Sequence, residues 1–111
     1  MAGETIIFFP KYSSLVAGTY YSDPFDVTGY KELTAEALLI GSVGTSPQVT
    51  AILQESSDLT TWTDIGSAST LSSTMSVLTK TDPARYVRMK VVVSGTGAVG
   101  TLWSKAVARG A

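Results

Sequence analysis

Histidine and cysteine are both missing from the 111 residues. The first absence removes the commonest general base and the commonest transition-metal ligand together, and with them the Ser-His-Asp triad. The second excludes disulfides and thiol chemistry and leaves the redox compartment open. A Ser-Lys pair would need a lysine depressed by burial, yet Lys31, Lys80 and Lys90 all stand in polar contexts. Charge is scarce as well: 15% of residues are Asp, Glu, Lys or Arg, against ~25% in typical soluble domains. The formal net charge is −1, so there is no basic footprint for nucleic acid or an anionic membrane. No apolar run approaches the ~20 residues of a membrane-spanning helix. The opening MAGETIIFFPKY has too short an apolar run for a signal peptide and lacks its basic n-region. Together these absences predict a soluble, non-catalytic protein made in the cytoplasm, with no cofactor and with neither nucleic acid nor membrane as partner.

What is present is the vocabulary of β structure. Apolar residues make up 44% of the chain, and Thr, Ser, Gly and Val fill the space that charges leave. The length fits one domain, near the usual ~100–150 residues. Two stretches organise the rest. Gln54 to Gly66, QESSDLTTWTDIG, leaves a strand-like run, turns through Ser56, Ser57 and Asp58, and returns with Trp62 in its middle. Arg85 to Val93 alternates cleanly, with Val87, Met89, Val91 and Val93 on one side and Tyr86, Arg88 and Lys90 on the other. One side requires a core and the other faces water.

In chain order, Thr5 to Phe9 is β-branched and aromatic, and Pro10 ends it or places it at a sheet edge. Residues 1–12 are therefore read as an N-terminal arm or edge strand, and 13–111 as the sandwich domain. SDP at Ser22 to Pro24 marks a turn before a short strand at Phe25 and Val27. Tyr30 to Val43 has helix formers, but Leu33, Ala35, Ala37 and Leu39 share one face of a strand, and its β neighbours decide for strand. A turn is expected at Gly44 to Pro47, and a strand with Val49, Ala51 and Leu53 inward follows. A Ser/Thr-rich stretch, a turn at Asp82 and Pro83, and a turn at Ser94 to Gly97 complete the pattern. About eight strands at roughly 8–12-residue spacing predict an all-β, antiparallel, jelly-roll-like sandwich in a single domain.

Candidate sites follow from the same reading. Glu55, Asp58 and Asp64 lie in one hairpin, where paired carboxylates could serve a glycosidase or oxygen ligands could hold Ca²⁺. Three acids beside a turn are ordinarily solvated turn residues, so no catalytic or metal set is assigned. Trp62 and Tyr86 are candidate anchors of the hairpin, with Trp62 expected to plug the core. The competing reading makes the Trp and Tyr residues a stacking platform for sugars. Arg85 and Arg88 flank Tyr86 and can stack on it or pair with acids on neighbouring strands. Consecutive large apolar residues at Ile6, Ile7, Phe8 and Phe9 put hydrophobic surface on both faces of one strand. That strand is either covered on both sides within its own domain or, with Tyr20 and Tyr21, a candidate interface to a neighbouring subunit.

The segments LQESSDLTTWTDIG and RYVRMKVVVSGTG resemble a recurrent pattern in small β-sandwich structural proteins of tailed bacteriophages, over roughly Val27 to Val107. Similar strings occur in carbohydrate-binding and discoidin-like sandwiches. Leu59 occupies a turn position where such sequences often have glycine. The resemblance implies a virion structural protein that decorates or stabilises the capsid. Its implied partner is a major capsid or tail protein; the apolar surface at Ile6 to Phe9 adds the expectation of a homo-oligomer, such as a trimer at a capsid lattice point. The alternative is a carbohydrate-binding module with a glycan partner.

Overall fold

A computed structural model of the chain describes residues 4–110. It contains seven strands: β1 (Glu4–Val16), β2 (Gly18–Tyr21), β3 (Phe25–Asp26), β4 (Glu32–Ser56), β5 (Thr63–Thr70), β6 (Ser76–Thr81) and β7 (Tyr86–Arg109). No helix occurs among the described residues, and the strand that alternation predicts over Tyr30 to Val43 is present from Glu32 onward. Two of the strands are unusually long, at 25 and 24 residues. Laid flat, β4 would reach about 80 Å, whereas the longest dimension of the molecule is 44 Å. Both strands therefore fold over, and each contributes to two layers.

The fold-over occurs where the turn at Gly44 to Pro47 is expected, but the chain bends there without ending its ladder. β4 and β7 stay paired from Glu32–Arg109 to Ser56–Tyr86, with register shifts confined to Leu39–Gln48 on β4. Gly44 (φ 114°) and Ser46 (φ 49°) turn the first strand, and Gly95 (φ 121°) and Gly97 (φ 62°) turn the second. Glycine is required at the inside of this corner: a Cβ on Gly44 would stand 2.7 Å from Ala98 Cα, and one on Gly95 would stand 2.9 Å from the Thr45 carbonyl.

Counting the long strands by halves, and β2 with β3 as one, gives eight segments in nested pairs. β1 pairs with the second half of β7, and β2–β3 with its first half. The first half of β4 pairs with β6 and the second half with β5. One layer reads β1–β7–β4–β6 and the other β3/β2–β7–β4–β5. First with last, second with next-to-last, is the pairing of a jelly roll.

The core lies between the layers and follows the period of two. Leu33, Ala35 and Ala37 face Val49, Ala51 and Leu53 across the bend of β4, and Val87, Met89, Val91, Val93, Leu102, Ala106 and Ala108 line β7. Buried polar groups are all satisfied among the described residues. Ser104 Oγ donates to the Glu36 carbonyl at 2.9 Å, and Ser22 Oγ accepts the Met89 amide at 2.9 Å.

The N-terminal strand corrects one expectation. Ile6, Phe8 and Phe9 are buried in the chain's own core, and only Ile7 is exposed, at 42%. The register skips from Ile7–Lys105 to Phe9–Ser104, a bulge that turns two adjacent residues, Phe8 and Phe9, to the same side. Phe8 meets Phe25 edge to face, with ring centroids 5.7 Å apart. Strand β1 also runs through the boundary set after residue 12; residues 1–3 and 111 lie outside the described residues. Its other edge is unpaired, and Pro10, Lys11 and a second register shift before Ser13 interrupt that edge.

Candidate functional site

The outer face of the β3/β2–β7–β4–β5 layer carries the most organised cluster of side chains. Three cross-strand partners, Arg88, Gln54 and Asp64, form one row across β7, β4 and β5. Alternation sends Arg88 outward because its neighbours Val87 and Met89 fill the core. Arg88 Nε donates to Gln54 Oε1 at 2.8 Å, and Gln54 Nε2 donates to Asp64 Oδ1 at 2.8 Å. An arginine can only donate and an ionised aspartate can only accept, so this chain fixes the amide orientation of Gln54. Gln54 itself is 7% exposed.

Two aromatic rings complete the cluster. Tyr21 approaches from the β2 flank with its ring centroid 4.1 Å from the Arg88 guanidinium carbon, and Trp62 from the β5 flank at 4.2 Å. Each such contact contributes about 0.5–1 kcal/mol at an exposed site. Trp62 is therefore not the core plug expected of it: it precedes β5, is half-buried, and rests on the outer face against Arg88. The period-two reading placed it within a strand, but the loop after Ser56 extends to Trp62 before pairing resumes at Thr63. Tyr86 is half-buried one row away, with Arg85 over its ring at 5.0 Å, and Arg85 pairs with Asp26 at 3.4 Å. Tyr20 packs on the core and its hydroxyl donates to the Val16 carbonyl at 2.8 Å, whereas Tyr21 is 50% exposed.

The three acids of the hairpin do not converge. Glu55 accepts the Ala84 amide at 2.9 Å and lies 3.7 Å from Lys80 Nζ, while Asp64 holds Gln54. Asp58 organises the turn itself. Its Oδ1 accepts the Thr60 amide at 2.8 Å and the Thr61 amide at 2.9 Å, and Ser56 Oγ donates to it at 3.0 Å. Hydrogen bonds from the Thr61 and Thr60 amides and from Ser56 hold its carboxyl below the usual aspartate range. Leu59 then takes a left-handed conformation, φ 65°, at the position where the resembled sequences often have glycine. Among the described residues no group of three His, Cys, Asp or Glu side chains is placed to share a metal ion.

The opposite layer exposes a different surface. At its corner end, Val16, Val99 and Val43 are cross-strand neighbours on the outer face. Val16 is 60% and Val43 62% exposed, and Ile40, at the bulge farther along β4, is 41% exposed. Nothing in the sequence reading marked this row, because each valine belongs to a separate segment and only the register joins them. Farther along, Trp103 has Lys11 at 4.8 Å and Lys105 at 5.0 Å from its ring centroid. Each tryptophan thus has a cation over its ring. An opening of about 70 Å³ between β5 and β6, lined by small residues such as Ala35, Ala37 and Ala51, is far below the ~300 Å³ of a small-molecule pocket.

No family model and no curated protein matches the sequence. Among solved structures the chain is similar to the VP2 protein of infectious bursal disease virus in derived T=1 particles, at 15% identity and a TM-score of 0.62, over 98% of this chain and 32% of that one. It is similar to a chain of the Gx strain of the same virus at 14% identity and a TM-score of 0.60, over 97% and 32%. It is also similar to a pilus chain of Bacillus endospore appendages, described as disulfide-linked, at 11% identity and a TM-score of 0.59, over 98% and 87%. The chain spans about a third of the viral chains and most of the pilus chain. At these identities the likeness is one of fold.

Proposed function

We propose that the chain is a structural subunit of a virion or surface appendage, working by protein–protein contact; the finer reading is a capsid decoration or head or tail accessory protein of a tailed bacteriophage. The valine row Val16–Val99–Val43, exposed at its two outer members and half-buried at Val99, carries the proposal. Its outward side chains leave the core unaltered, and three aliphatic groups in register present continuous apolar surface at one end of the sandwich. Burying such a row against a second copy contributes several kcal/mol, at about 1.5–3 kcal/mol per fully buried side chain before ordering costs. Repetition around a symmetry axis, as in a trimer on a capsid lattice, multiplies that contribution. The fold of a particle-forming viral protein and of a pilus subunit supports the reading. With no cysteine, copies of this chain are joined without disulfides.

The test is the double variant Val16→Asp and Val43→Asp. The expected result is an unchanged circular dichroism spectrum, a lower mass by sedimentation, and lost binding to undecorated particles. A wild-type chain that stays monomeric and binds no particle, or a double variant that keeps mass and binding, overturns the proposal.

A further inference from the structure

We infer that Arg88 is a receptor for a carboxylate side chain presented by a partner protein. The inference rests on the reading of this chain as an assembling subunit, but it concerns the layer opposite the valine row. Arginine has five N–H donors in a rigid fork. In Arg88 only Nε has an acceptor among the described residues, Gln54 Oε1. Ion pairs join Lys80 to Glu55, Arg85 to Asp26 and Arg109 to Glu32, and none of them includes Arg88. Lys90, the next outward residue on β7, is in none of them either.

The fork is also held still. Gln54, locked in turn by Asp64, fixes rotation about the end of the side chain, and Tyr21 and Trp62 confine the guanidinium plane from two flanks. Immobilising a long side chain is a cost that binding ordinarily bears, and here folding has already met it. Tyr21 is 50% exposed, so the clamp stands at the surface.

The shape of the clamp selects the ligand. Two ring centroids, 4.1 and 4.2 Å from the guanidinium carbon, crowd it from two flanks, and its terminal N–H groups have no acceptor among the described residues. A carboxylate is flat and meets an arginine fork in its plane with two parallel hydrogen bonds. A tetrahedral phosphate or sulfate and a bulky acidic sugar need more room beside the rings than a slender Asp or Glu side chain.

The experiment uses the full chain, ¹⁵N-labelled, and follows the Arg88 Nε–H and Trp62 indole N–H signals by NMR. The probes are acetyl-Gly-Glu-Gly-amide, its Gln counterpart, inorganic phosphate and sialyllactose. The Glu peptide should shift both signals saturably, and the other three should bind at least about ten-fold more weakly, the margin that loss of a charged bidentate pair implies. Arg88→Lys keeps the charge and loses the fork, so it should weaken the Glu peptide about ten-fold. Tyr21→Ala, on an exposed edge residue, should weaken it measurably while the fold is kept and the melting temperature falls by only a few degrees, and it carries the test if Arg88→Lys fails to fold. The Val16→Asp, Val43→Asp chain should keep full peptide binding, so that failure of the valine interface and failure of the clamp are read separately. Absence of any shift, equal binding of the Gln peptide, tighter binding of phosphate or sialyllactose, or undiminished binding by both clamp variants overturns the inference.

Discussion

Replacing Gly44 by alanine tests whether the nested corner of β4 and β7 holds the two layers together. At φ 114° the new Cβ would lie 2.7 Å from Ala98 Cα and 3.0 Å from Ala98 N. Both atoms are backbone, so no rotamer change relieves the contact. An L-residue forced to positive φ costs about 1–2 kcal/mol, and overpacking a closed contact costs about 1–3 kcal/mol. The expected loss is about 2–5 kcal/mol. At about 4–6 °C per kcal/mol for a domain of this size, the melting temperature should fall by roughly 8–30 °C. Gly41→Ala is the control: it lies on the same strand, outside the positive-φ set, with no atom within 4 Å of its added Cβ. Relief of glycine's backbone entropy should leave it neutral or stabilised by up to ~1 kcal/mol. Thermal melts and urea titrations of the two variants, followed by circular dichroism, make the comparison. If Gly44→Ala melts within about 3 °C of Gly41→Ala, the corner tolerates a side chain and the account of the fold-over is wrong.

Leu59 stands at φ 65° with its side chain 46% exposed, so Leu59→Gly should raise stability by about 0.5–1 kcal/mol, and a loss in urea denaturation would count against the turn geometry. Because Asp58 has a folded-state pKa below its ordinary 3.8, its support of the turn is present above that pH and is lost as pH falls through the lower folded value. The Thr60 and Thr61 amide shifts should therefore titrate together with a midpoint below 3.8, and a midpoint at or above it refutes the turn's hydrogen bonding. Leu102, fully buried at 0% exposure, should cost about 2–5 kcal/mol on truncation to alanine. Trp62→Ala should cost only about 1–2 kcal/mol, the partial burial and one cation–π contact; a larger loss than Leu102→Ala would place Trp62 back in the core.

The layers were legible in the sequence because burial on one face forces a period of two. Leu33, Ala35 and Ala37 could be set inward against competing helix propensity, and Val87 to Val93 left no other reading. Where alternation breaks, the reading broke with it. The bulge at Phe8 and Phe9 made two inward residues look like two faces, and a core strand like an arm. Trp62 fell outside the strand because Asp58 draws the chain into a wide turn through bonds to Thr60 and Thr61, a local geometry that residue types alone permit without dictating. The Arg88 clamp was out of reach for another reason. Tyr21, the Gln54–Trp62 hairpin and Arg88 lie in three separate stretches of the chain, and only the register of β2, β4 and β7 brings them together. The aromatic and arginine content of the two opening stretches was the signal available.

The pairing of Glu4 with Ala108 has a mechanical consequence. The first and last described strands run side by side in opposite directions, so a pull applied to both ends opens their ladder one hydrogen-bonded pair at a time, like a zipper. A pull applied from the Leu59 turn to the β6 edge instead runs along β4 and shears its ladders with β5 and β6, and several bonds must slip at once. The same sandwich is therefore weak along one axis and strong along another. In a wall of such subunits, the side that carries the load would have to be a flank of the sandwich, never its paired ends.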